Sequence, residues 1–304
     1  RLLLEQALAQ VIGGLDRAIR HHAARLLAEL GDNEGAERLL ATREDVAGWL
    51  SRPAALPEAL IEELIARVRH DLLAEALPVE VGEPDAPSLL VRLTGAPDPV
   101  VSTAAAALLA AESRRRDAAA GDTGLTAELH HHLAWQVAAA LRTLVGGGAA
   151  IDRALVEAAR RSIAAHDEGE RVEAVAMRLA LAIDARVGER GPVLTEALGD
   201  RRLALFVAVL AHALAVDFAQ VRALVVTPGD ERLWLCLRAA ALDRPTVARI
   251  AFALAEADPR RDIEAFADRL DAIMAIDPVA AGKALASLAL PADYRAAIRN
   301  VARR

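Results

Sequence analysis

The residue types able to do chemistry are few, and the densest group is a run of histidines. His130, His131 and His132 follow one another, with Glu128 two residues upstream. Successive residues of an α-helix point about 100° apart, so three adjacent histidines cannot chelate one ion from one regular helix. Glu128 and His131 do form a Glu-x-x-His pair. A carboxylate-bridged di-metal bundle needs two such pairs and two further glutamates, and the chain holds no second Glu-x-x-His. Leu125, Leu129, Leu133, Ala140 and Leu144 define one apolar face, which puts His131 and Trp135 nearly opposite, four residues apart. Read plainly, this is a histidine packed beside an indole on a second interface. His21-His22 reads as a helix-surface pair.

Other reactive groups are scarce. No Gly-x-Ser-x-Gly elbow occurs. Cys236 lies in the apolar stretch Leu233-Trp-Leu-Cys-Leu237 and reads as a buried, inert thiol. Lys283 is the only lysine, and Gly282-Lys283-Ala284 lacks the upstream glycine and the hydroxyl residue of a phosphate-binding loop. Gly146-Gly147-Gly148 follows no strand and reads as an interhelical turn rather than a phosphate cradle. Glu58, Glu62, Glu63, Arg67 and Arg69 read as the solvated face of a helix, with Glu63 and Arg67 an i,i+4 pair. Arg114-Arg-Arg116 falls at the end of a long helix, where cations suit the C-terminal dipole. The residues singled out for binding contacts are His131, Trp135, Arg201, Arg202 and Arg232. No catalytic or metal-ligating residue is assigned, and no cofactor is expected.

The elements that position these residues are helices. Of 304 residues, 54% are hydrophobic and only 3% aromatic. Alanine and leucine dominate, which favours helix and excludes an all-β fold. The net charge is −7, without the basic excess of a nucleic-acid binder. A single cysteine excludes an internal disulfide and fits a reducing, cytoplasmic compartment. The first residues carry Glu5 early and do not read as a signal peptide, although the chain begins at Arg1 rather than Met. The longest apolar run, Leu203 to Ala211, is too short to span a bilayer, so membrane insertion is not expected.

Proline and glycine punctuation predicts helices over 2–12, 15–30, 34–41, 44–51, 57–77, 87–94, 99–119, 126–145, 150–166, 169–187, 192–198, 201–215, 218–226, 231–242, 245–256, 262–275, 278–288 and 291–302. Asp98-Pro99 and Asp277-Pro278 have the form of an N-cap followed by proline at the first helical position. Breaks are expected at 121–124 and 146–148, and the strongest linker is 78–87, with three prolines. These signals divide the chain into an N-terminal helical domain (1–77), a linker with one short helix (78–98) and a helical-repeat domain (99–304).

A repeat supports the last assignment. Gly199-Asp-Arg-Arg202-Leu203-Ala-Leu205 returns thirty residues later as Gly229-Asp-Glu-Arg232-Leu233-Trp-Leu235. The turns Ala215-Val-Asp217, Ala241-Leu-Asp243 and Ala275-Ile-Asp277 follow a common pattern, matched by Ala150-Ile-Asp152 and by Ala182-Ile-Asp184 within an expected helix. Each aspartate would cap the next helix. The fold class expected is therefore all-α, with antiparallel helix pairs stacked in a HEAT- or armadillo-like right-handed superhelix.

The stretch Leu194-Thr-Glu-Ala-Leu-Gly-Asp-Arg-Arg-Leu-Ala-Leu-Phe206, leading into Ala211 and then Gln220-Val-Arg222-Ala-Leu224, resembles bacterial proteins grouped as domain of unknown function 2336. Leu56-Pro-Glu-Ala-Leu60-Ile and Glu128-Leu-His-His131, followed by Trp135 and Ala138-Ala-Ala-Leu-Arg142, fit the same pattern. The resemblance is best over about 125–304. It implies an all-helical, HEAT-like protein and supplies no catalytic residues. The function expected is a non-enzymatic scaffold or regulator that binds another protein. The alternatives are a regulator that binds a small ligand between helical subdomains and, third, a metal-dependent enzyme. The oligomeric state is left open.

Overall fold

The computed structural model describes residues 2–42, 46–50, 56–79, 87–116, 123–291, 294–295, 297–298 and 301. Among them every regular element is helical: sixteen α-helices and two short 3-10 helices, with no strand. In order they are α1 (Leu2–Glu29), α2 (Asn33–Ala41), α3 (Val46–Leu50), α4 (Glu58–Ala76), α5 (Leu89–Thr94), α6 (Pro99–Arg116), α7 (Ala127–Val145), α8 (Ala149–Ala165), α9 (Val172–Ile183), α10 (Val187–Gly199), α11 (Leu203–Leu214), α12 (Phe218–Val226), α13 (Arg232–Ala239), α14 (Arg244–Ala257), α15 (Ile263–Ala275) and α16 (Pro278–Ala284). The 3-10 helices are Glu168–Glu170 and Ala286–Ala289. No helix among the described residues is long and apolar enough to cross a membrane.

The chain forms two compact units, each built from two separate stretches. Unit 1 is residues 1–68 and 110–172; unit 2 is 69–109 and 173–304. In unit 1, α1 packs against α2, α3, α7 and α8. Ile12, Leu15, Ile19, Ala23 and Leu27 lie every three to four residues along it and are buried with Leu39, Leu133, Val137 and Leu155. Burial of this stripe explains why α1 runs unbroken through Gly13-Gly14, where the sequence predicts a gap between two helices. Tertiary packing outweighs the roughly 1 kcal/mol per glycine that helix propensity costs. In unit 2, α11 packs against α10, α12 and α13. Leu203 through Ala211 are buried without interruption, as expected of a helix apolar on all sides.

Other boundaries also shift. The helix expected over 169–187 becomes a 3-10 turn and then α9, which ends at Ile183. Asp184 follows in the left-handed region at φ 39° instead of sitting inside the helix. The expected 192–198 helix starts earlier, as α10, because the Arg186 N–H donates to the Glu189 carboxylate at 3.0 Å and closes the first turn. Pro192 is accommodated inside it. The 278–288 helix tightens into α16 and a 3-10 turn. The expected linker core at 80–86, Gly121 and half of 291–302 lie outside the described residues.

The repeated turns are visible in unit 2. Ala215 and Ala241 both adopt left-handed φ, at 52° and 59°. Behind each, the next N–H reaches back five residues: Val216 to the Ala211 carbonyl at 3.1 Å and Leu242 to Leu237 at 3.2 Å. This is the Schellman closure of a helix C-terminus. Asp217 and Asp243 then stand at the N-caps of α12 and α14. Asp98 and Asp277 occupy the caps expected of them, each followed by proline. Asp98 accepts from the Val100 N–H at 2.8 Å, and Asp277 from those of Val279 and Ala280. The turn before Asp277 shares the cap but not the left-handed residue, since Ala275, the counterpart of Ala215 and Ala241, is the last residue of α15. Asp152 is not a cap. Gly148 is the N-cap of α8, and Asp152 instead binds Arg142 at 2.7 Å.

Candidate functional site

The histidine run straddles two environments of α7. Thr126 caps the helix by accepting from the Leu129 N–H. Its buried face then runs His130, Leu133, Ala134, Val137 and Leu141. The expected stripe is on this side, with Leu125, Leu133 and Ala140 buried and Leu129 and Leu144 packed against the core. His130 joins it, whereas His131 and His132 are exposed. The Trp135 Nε1–H donates to His131 Nε2 at 3.2 Å, and the rings meet edge to face at 6.3 Å and 69°. His131 Nε2 must therefore be unprotonated in this arrangement, since an indole N–H only donates. One turn along, His132 Nε2 lies 3.3 Å from the Gln136 amide nitrogen. Trp135 is half-buried and packs its remaining face against the unit 1 core. Glu128 is exposed in the first turn.

His130 is the histidine that sequence reasoning passed over. It stacks on His166, from the C-cap of α8, with centroids 3.9 Å apart and planes 4° from parallel. Its Nδ1 is 2.9 Å from the Thr123 hydroxyl, and its Nε2 is 3.3 Å from the Ser162 carbonyl. His166 Nε2 meets the Leu125 carbonyl at 3.0 Å. Arg67 donates to the carbonyls of Thr123 and Gly124 at 2.9 and 2.7 Å, and Arg171 to Gly124 at 3.0 Å. His166 lies thirty-six residues from His130, outside any local motif, so no spacing rule links the two.

The three arginines singled out from the repeat take different places. Arg201 donates from Nε to the Leu77 carbonyl at 2.6 Å, just past the end of α4. Arg202 is the N-cap residue of α11. Arg232 grips Asp230 through two nitrogens, at 3.0 and 2.6 Å, and these bonds hold the Asp230 carboxyl below its usual range. Arg201 belongs to a wider pattern. Arg20 donates to Leu39 and Thr42 carbonyls at 2.8 and 2.9 Å, at the end of α2. Arg190 reaches Ala240, at the end of α13. Arg238 spans Leu242 and Ile276 carbonyls at 2.9 and 3.0 Å. Arg261 reaches Val225, the penultimate residue of α12, and burial pushes its guanidinium below its ordinary range. The last carbonyls of a helix lack intrahelical donors and carry the negative dipole end. A planar fork of five donors satisfies several at once, which an ammonium cannot match in fixed geometry. This gives a physical reason for arginine rather than lysine at these helix ends.

Reactive groups elsewhere are muted. Burial pushes the Cys236 thiol up to about 12, which leaves it protonated and unreactive at neutral pH. Lys283 is exposed on α16. Arg114 pairs with Glu170 at 2.7 Å. Gly146 ends α7 at φ 71° and Gly148 opens α8, so the glycine triplet is a turn between them. Among the described residues, no group of three or more His, Cys, Asp or Glu is placed to hold a metal ion. A small groove in unit 2 is lined by Pro78, Thr195, Leu198, Arg249, Ile250 and Ala253. No family model, no curated protein and no solved structure matches this chain.

Proposed function

We propose that this protein is a non-enzymatic helical scaffold or regulator that binds another protein. The observation that carries the reading is the Trp135–His131 pair. Trp is among the residues that most often dominate interface energetics. Here one ring is fixed by its neighbour's nitrogen and by the core beneath it. A side chain already ordered in the free protein loses little entropy on binding. The buried Arg20 and Arg238, by contrast, are spent on helix-end carbonyls.

Helix pairs of HEAT or armadillo type are part of the same reading, supported by the matching Ala215 and Ala241 turns. Stacked pairs offer extended binding surfaces. The resemblance to domain of unknown function 2336 fits this reading, since it implies an all-helical, HEAT-like protein and supplies no catalytic residues to carry over. A cytoplasmic setting suits a chain whose one cysteine is a buried thiol.

The test is affinity purification of the tagged chain from its native cells with mass spectrometry, beside the exposed substitution His131→Glu. The expected result is a recovered partner that is lost with His131→Glu while the thermal midpoint stays unchanged. Absence of any partner, or equal recovery by both proteins, removes the reading.

A further inference from the structure

Residues 278–304 differ in charge from the chain as a whole. They hold Lys283, Arg295, Arg299, Arg303 and Arg304 against one acidic residue, Asp293, in a chain of net charge −7. A basic stretch that also carries apolar residues at helical spacing suits contact with an anionic surface.

The apolar side chains of this stretch face outward. The Arg295 N–H donates to the Pro291 carbonyl at 3.1 Å and closes a first turn. Tyr294, Ala297, Ile298 and Val301 are helical, and their spacing of three and four residues puts them on one face. All four are exposed, Tyr294 at 58%, Ile298 at 46% and Val301 at 74%. An apolar stripe of this kind ordinarily turns to the core; here it turns to water. Arg295 lies about 100° around the helix from Tyr294, and its Nε is buried. The helix therefore rests on the protein by that side and presents the apolar one. Just before it, the buried Gln220 of α12 donates from its amide to the Leu290 carbonyl at 3.4 Å, which ties the segment to unit 2. In α16, Val279 and Lys283 are likewise exposed, one turn apart.

We propose that this face of unit 2 docks on the surface of a bilayer that carries anionic lipid headgroups. Charge complementarity gives the sign, since basic side chains are drawn to an anionic leaflet. That attraction acts within a screening length of about 8 Å at physiological salt, so the local basic stretch rather than the net charge governs the contact. The exposed stripe supplies the apolar half by entering the headgroup boundary, with Tyr294 suited to its polar border. A flat surface fits this helix better than a protein groove does. A groove takes a helix between its walls, and the Arg295 side already rests on the protein. The helix lies on the bilayer and does not span it, because the stripe covers about two turns. The face is separate from the Trp135–His131 pair of unit 1, so the two readings stand or fall separately.

The experiment is flotation of the full chain with phosphatidylcholine vesicles, with and without phosphatidylglycerol. Expected is binding only where phosphatidylglycerol is present. It should be lost as salt rises from about 0.1 M to about 1 M and the screening length falls from about 10 Å to about 3 Å. Val301→Asp should weaken binding by about ten-fold or more. Phe252→Asp, on α14 at 64% exposure, is the matched control and should bind as wild type does. Both positions are largely exposed, so both variants should keep the wild-type thermal midpoint. No binding to the anionic vesicles, equal binding to both kinds, or equal binding by Val301→Asp and wild type overturns the proposal. Retention on immobilised poly-glutamate without vesicle binding also overturns it and assigns the face to an acidic protein. Should Val301→Asp not fold, the salt series of wild type decides, and binding unchanged at about 1 M salt overturns the proposal.

Discussion

The two units close their helices with the same backbone geometry and different residues. In unit 1, among the described residues, positive φ occurs only at glycine: Gly31 at 83°, Gly124 at 57° and Gly146 at 71°. In unit 2 it occurs at Asp184, Arg201, Ala215 and Ala241 as well as Gly229. The hydrogen bonding is alike. Asp32 N–H reaches Leu27 at 2.9 Å behind Gly31, as Arg202 reaches Ala197 at 2.7 Å behind Arg201. A left-handed residue with a Cβ costs about 1–2 kcal/mol. Two of the four side chains offset that cost, since Arg201 binds the Leu77 carbonyl and Asp184 binds His212 at 2.9 Å. Ala215 and Ala241 have no such return. The strain of unit 2 is therefore concentrated at two alanines, held in place by the packing of α11 and α13.

What the units share should give the largest effect. Both cap helix ends with buried arginines, Arg20 in unit 1 and Arg238 in unit 2, which are 7% and 8% exposed. Arg238→Met leaves the Ile276 and Leu242 carbonyls without their guanidinium donors and should cost about 2–4 kcal/mol. Arg238→Lys should recover only part of it, because one ammonium cannot span both carbonyls in fixed geometry. Denaturant midpoints of the three proteins decide. A cost below about 1 kcal/mol for Arg238→Met would mean water replaces the fork, and the shared device would not be a structural one.

The first difference between the units is tested by Gly31→Ala. A Cβ there meets nothing within 4 Å, so any loss is purely backbone strain. The expected cost is about 1–2 kcal/mol, read as a lower thermal midpoint. No change would show that unit 1 tolerates a left-handed alanine as unit 2 does, which removes the contrast.

N-caps are common to both units and give a smaller effect, pH-dependent at Asp243. Asp32 accepts from the Gly35 N–H at 2.8 Å and Asp243 from that of Thr246 at 2.9 Å. The Thr246 side chain and N–H hold the Asp243 carboxyl below its ordinary range. A carboxyl so lowered contributes stability above its unfolded value near 4 and loses it as pH falls through the folded value. Asp243→Ala should therefore cost about 1 kcal/mol at pH near 7. The gap between the two proteins should narrow below about pH 4. A gap independent of pH would assign the effect to helix propensity rather than to the cap.

How much of this was legible follows from the range of each interaction. Helix type and most helix positions were local matters of alanine, leucine and proline spacing, and the caps at Asp98, Asp243 and Asp277 were readable because capping acts within three residues. The continuity of α1 through Gly13-Gly14 was not, because it depends on a buried stripe set against α7 and α8. The pairing of His131 with Trp135 lies within one helical turn and could be seen. The stack of His130 on His166 could not, since it needs the α7–α8 packing to bring distant residues together. Arginine composition was plain, yet which carbonyls the guanidiniums hold is a tertiary fact.

The smallest effect is the sharpest test of the contrast, because it predicts a gain. Ala215→Gly and Ala241→Gly relieve the left-handed penalty of about 1–2 kcal/mol and add glycine's unfolded-state entropy of about 0.5–1 kcal/mol. Each should stabilise the protein by about 0.5–1 kcal/mol and raise its thermal midpoint by a few degrees. Ala215 is exposed, so no packing is lost with its methyl group. Arg201→Gly is the matched control. It relieves the same backbone strain but removes the bond to the Leu77 carbonyl, so it should not stabilise. If the alanine variants lose stability, the methyl groups contribute more than the strain they impose. If Arg201→Gly gains as much as they do, its bond to Leu77 adds nothing, and unit 2 carries its strain without compensation at every turn.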